Sequence, residues 1–108
     1  MANLVLNLSE LTVETRLVIA RELKSAKNLE ILAEDKNNDV RAAVARNEKT
    51  PEGALLKLAK DKILKVRLTV TENASATENV LLKLIEDENN STVRFTVAER
   101  KMQQKTSY

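Results

Sequence analysis

Apolar residues recur along the chain in two alternating registers, each with the spacing of a short helix. In the first, Leu29, Leu32 and Ala33 are followed by Leu55, Leu58 and Ala59, and then by Leu81, Leu84 and Ile85. Each triplet sits at i, i+3 and i+4, which is one face of a 3.6-residue period. In the second register, VRAAVARN from Val40 has copies TRLVIARE from Thr15, VRLTVTEN from Val66 and VRFTVAER from Val93. Its first, fourth and fifth positions, Val40, Ala43 and Val44 in the second copy, again share a helical face. The copies start 25, 26 and 27 residues apart. Self-similarity at such a period decides the architecture before any single residue does.

The pattern predicts a repeating unit of helix A (the leucine triplet), a turn, helix B (the VRAAVARN copy) and a second turn. Polar, Asn-rich connectors such as KNND from Lys36 and ENNST from Glu88 suit the turns. Thr50 with Pro51, then Ser25, and Ser75 or Thr77, stand where helix A needs N-terminal caps. Helix B is short and rich in β-branched residues, so it persists only by packing on its neighbours. Counting back one unit places Leu4, Leu8 and Glu10 in a worn helix A, with residues 1–14 as a degenerate N-terminal cap. A rival reading makes Ser9 the cap of one helix running to Leu23. Past the last copy, helix B is expected to continue a turn or two, leaving 104–108 as a frayed tail.

Composition supports a single all-α domain over residues 1–108. One Gly, one Pro, one Phe, one Tyr and no Trp leave too few turn and aromatic residues for a β fold. With neither Cys nor His, disulfides, thiol nucleophiles and the usual zinc ligands are ruled out and the commonest general base is missing. No metal, cofactor or catalytic set is therefore expected, and the chain reads as a non-enzyme. The N-terminus lacks the basic and apolar regions of a signal peptide, and no stretch has the ~20 apolar residues of a membrane span. The expected location is cytoplasmic. Net charge is only +2, so no global field recommends nucleic acid or a membrane as partner.

The arrangement L-x-x-L-A-x-D, a polar spacer, V-R-x-x-V-A-x-N and T-P resembles the leucine-rich repeat variant family, a short relative of HEAT and armadillo repeats. It is matched best by LAEDKNNDVRAAVARNEKTPEGALLKLAKD from Leu32 to Asp61. Glu48 and Ala74 stand where the family often has Pro, and Ala76 and Thr77 replace the T-P pair of the next unit. The resemblance implies a right-handed α-solenoid of about four helix pairs of 25–27 residues, starting near 15, 40, 66 and 93, with a short second helix of 3₁₀ character. Some relatives also carry an iron–sulfur domain with Cys ligands, for which this chain has none. Such repeats scaffold many partners, so fold alone assigns no target.

Three residue sets could carry function. Acids precede arginines by six or seven residues: Glu10 and Arg16, Asp35 and Arg41, Asp61 and Arg67, Asp87 and Arg94. A structural reading makes these a ladder, each Asp accepting helix-B amides and each Arg bridging to the Asp of its own or the adjacent repeat. A ligand-binding reading uses the same groups. The third position of helix B carries Leu17, Ala42, Leu68 and Phe95, and the nearby sixth carries Ala20, Ala45, Thr71 and Ala98. This apolar column either packs between consecutive helices B or receives a protein partner, including a second copy in a homodimer. Lys57, Lys60, Lys62, Lys65 and Arg67 form the third set, the basis of an alternative nucleic-acid-binding reading. Missing aromatics and the interrupting Glu86, Asp87 and Glu88 favour a solvated face.

Overall fold

The computed structural model describes residues 7–87 and 90–106, and the side chains of all of these but 87 and 104–106. A 3₁₀ turn at Leu8–Glu10 precedes seven helices: α1 Val13–Glu22, α2 Ala26–Leu32, α3 Asn38–Arg46, α4 Glu52–Leu58, α5 Leu64–Thr71, α6 Glu78–Asp87 and α7 Ser91–Thr106. No strand occurs among the described residues. Helices A of the repeats are α2, α4 and α6, and helices B are α1, α3, α5 and α7. Helices B stack side by side in one layer and helices A in a second, which makes a helical repeat solenoid of 50 × 29 × 19 Å.

The repeated apolar positions meet between the layers. Leu29, Leu32, Leu55, Leu58, Leu81 and Leu84 from helices A are fully buried against Val40, Val44, Val66, Val70 and Val93 from helices B. Each such side chain contributes ~1.5–3 kcal/mol of burial, which holds together helices of 7–10 residues that would melt in isolation. Local caps set the starts. Thr12 accepts the Thr15 amide, Ser25 the Asn28 amide, and Asn37 the amides of Asp39 and Val40. Thr77, rather than Ser75, accepts the Val80 amide.

Several expectations change. The 3₁₀ bonding is confined to helix ends, in both helices: Glu34 and Asp35 donate to the Ile31 and Leu32 carbonyls three residues back, Lys60 and Asp61 to Lys57 and Leu58, and Glu72 and Asn73 to Thr69 and Val70. The body of helix B is α-helical, because adjacent helices supply the burial that a short helix lacks by itself. Thr50 does not cap α4. Its buried hydroxyl donates to the Val44 carbonyl at 2.7 Å, closing the open end of α3, and Pro51 is the uncapped N-cap residue. At the N-terminus the single helix capped by Ser9 does not form, and most of the worn helix A lies outside the described residues. Residues 8–10 make a single 3₁₀ turn, and Thr12 starts a separate helix. Leu4 lies outside the described residues. At the other end α7 runs to Thr106, so helix replaces most of the expected tail, and 107–108 lie outside the described residues.

Candidate protein-interaction surface

The acid–arginine pattern becomes a ladder that joins each repeat to the next. The Arg16 Nε donates to Asp35 Oδ2 at 2.7 Å, and Arg41 Nε to Asp61 Oδ2 at 2.6 Å. In each pair Nη2 reaches the other carboxylate oxygen, at 3.3 and 3.1 Å, so the contact is the bidentate fork that a planar guanidinium favours. The first pair is nearly sealed from water, with 4% and 7% side-chain exposure. The third guanidinium nitrogen turns back to a main-chain carbonyl: Leu11 for Arg16, Asp35 for Arg41 and Asp61 for Arg67. Asp35 and Asp61 also accept the amides of Asn37 and Ile63, which aims each carboxylate across the repeat boundary. Charge pairing thus runs to the following repeat, while the contact within a repeat is made by a carbonyl.

The ends of the ladder differ from the expected pattern. Glu10 is exposed, and Leu11 holds the place that the aspartates take later, so Arg16 has no carboxylate on its own side. The Asp87 side chain lies outside the described residues, and Arg94 is exposed on the last helix.

A second ladder escaped the sequence reading. Asn47 donates from Nδ2 to the carbonyls of Ala20 and Leu23 at 2.9 and 3.0 Å, closing the C-terminal end of α1. Asn73 does the same for Ala45 and Asn47 at 2.7 and 2.9 Å, and Arg100 for Thr71 and Asn73 at 2.7 and 2.6 Å. The signal was present, because these residues all stand at the eighth position of the helix-B copy. Nothing in one sequence says that an Asn there reaches back a whole repeat rather than starting a turn.

The predicted apolar column is not an open strip. Ala42 is 6% exposed and Ala45 is fully buried, on a helix packed between α1 and α5. Leu17 and Leu68 are half-buried and packed against the core. Phe95, on the last helix, is 67% exposed. Leu17 and Ala42 border a cleft of about 330 Å³ with Arg21, Asp39, Arg46 and Lys65. Thr96 and Glu99 border another of about 500 Å³ with Glu72 and Gln103.

The basic set is largely paired with acids or carbonyls. Lys57 meets Glu34 at 2.6 Å, Lys65 meets Asp39 at 2.9 Å, and Arg67 is held by the Asp61 carbonyl. The hydrogen bond and charge of Lys57 lower the pKa of Glu34, and Glu34 in turn raises that of Lys57. Lys60 and Lys62 are exposed. Among the described residues no group of three or more His, Cys, Asp or Glu is placed to hold a metal ion, and no helix is long and apolar enough to cross a membrane.

Comparison with known proteins places residues 39–62 on the model of the leucine rich repeat variant family, a segment from the first turn of α3 to just past Asp61. No significant match was found among curated proteins or solved structures.

Proposed function

The chain is a helical repeat protein with a leucine rich repeat variant unit at its centre, and from that premise we propose that it is a non-enzymatic protein-interaction module. Its working surface is the helix-B layer towards the C-terminal end. The observation that carries this reading is Phe95, an aromatic side chain left 67% exposed at a position where Ala42 is buried. Large exposed aromatics on a rigid helix are the anchors that protein interfaces use. Met102, two turns further along α7, adds further exposed apolar surface.

A photo-reactive residue at position 95 is expected to capture protein from a cell extract, whereas the same residue at the exposed Lys62 is not. Equal capture at both positions, or none at 95, would remove the reading. Titration with duplex and single-stranded oligonucleotides at low salt tests the rival, for which binding that weakens steeply with salt is the signature.

A further inference from the structure

The seventh position of helix B carries Arg21, Arg46, Glu72 and Glu99 in chain order. All four are exposed, and none of their side chains has a hydrogen bond or ion pair among the described residues. Elsewhere, exposed charges on adjacent repeats are paired across the boundary, as in Glu34 with Lys57 and Asp39 with Lys65. In this column like charges are neighbours instead. Arg21 and Arg46 border the first cleft, and Glu72 and Glu99 border the second. Packed helices lie ~8–10 Å apart, about one Debye length at physiological salt, so repulsion within each like pair is weak there and grows as salt falls.

A column that reads plus, plus, minus, minus becomes its own complement when turned end for end. One helical turn away, on the same face, lie Leu17, Ala42, Leu68 and Phe95. The same turn sets the exposed Phe95 opposite the half-buried Leu17, while Ala42 is buried within its own layer. We propose that the helix-B face binds a second copy of this chain in antiparallel, two-fold fashion, with Arg21 and Arg46 opposite the partner's Glu99 and the partner's Glu72. This rests on the reading that the helix-B face binds protein. A molecule of 50 × 29 × 19 Å offers a long face able to supply the ~800 Å² per partner of a standard interface. A two-fold contact uses the same patch on both copies and so closes at the dimer.

The test uses Arg21→Glu/Arg46→Glu and Glu72→Arg/Glu99→Arg, each confirmed folded by circular dichroism, in light scattering and sedimentation. The unchanged chain is expected to dimerise with an affinity that falls as salt rises. Each double variant alone should associate at least about tenfold more weakly, because like charges then face each other throughout. An equimolar mixture of the two variants restores every opposite pair and should recover the dimer. Folded variants that fail to recover on mixing would overturn the arrangement, as would an unchanged chain that stays monomeric at every concentration. Capture of a different protein at position 95 by a monomeric chain would refute the dimer and leave the protein-binding reading standing. Loss of association in Phe95→Glu but not in either charge variant would refute the antiparallel register alone.

Discussion

Asp61, like Asp35, is a complete rung of the inter-repeat ladder, and its removal tests how the stack is held. Its carboxylate accepts Arg41 at 2.6 and 3.1 Å and the Ile63 amide at 3.0 Å, while its carbonyl accepts Arg67 at 2.6 Å. Asp61→Ala keeps the carbonyl contact but strands the Arg41 guanidinium, whose side chain is only 12% exposed. An orphaned buried charge costs ~3–5 kcal/mol, and the small remaining water access places this site near ~3. For a chain of this size that corresponds to a fall in melting temperature of roughly 12 °C or more. Denaturant unfolding should show the midpoint moving with little change in slope. Arg41→Met removes the stranded charge itself, so Asp61→Ala combined with Arg41→Met should cost ~2 kcal/mol less than the two single changes added together. Asp61→Ala costing under ~1 kcal/mol, the range of an exposed pair, would refute the reasoning, as would strict additivity.

Two further outcomes follow from the packing. Asn73→Asp retains an acceptor for the Ser75 amide but sets a carboxylate against the Ala45 and Asn47 carbonyls, so thermal melting should show it more damaging than Asn73→Ala, itself a loss of ~1–3 kcal/mol. Gly53 lies inside α4 with nothing within 4 Å of an added Cβ, so Gly53→Ala should stabilise by ~0.4–1 kcal/mol and raise the melting temperature.

Much of the fold was legible because the periodicity repeats. Leu29, Leu55 and Leu81 stand in equivalent places, and three copies of one pattern say more than any single amphipathic stretch. The acid–arginine spacing likewise pointed to a ladder, since charges at that interval straddle the turn from helix A to helix B. The interaction surface was less legible. A single-helix projection put the third and sixth positions of helix B on the outer side, yet Ala42 and Ala45 are covered. Helix B is flanked on both sides, so its buried arc is wider than the one stripe that an amphipathic pattern describes.

By itself the sequence determined the helical class, the length of the repeating unit, the leucine and valine core and the central ladder residues Asp35, Arg41, Asp61 and Arg67, because all of these follow from spacing along the chain. Only the tertiary structure decided which repeat each Arg pairs with, that Asn47 and Asn73 reach back to close the preceding helix, and that Phe95 is open where Ala42 is shut. Those outcomes depend on which element lies beside which, and spacing along one chain does not record that.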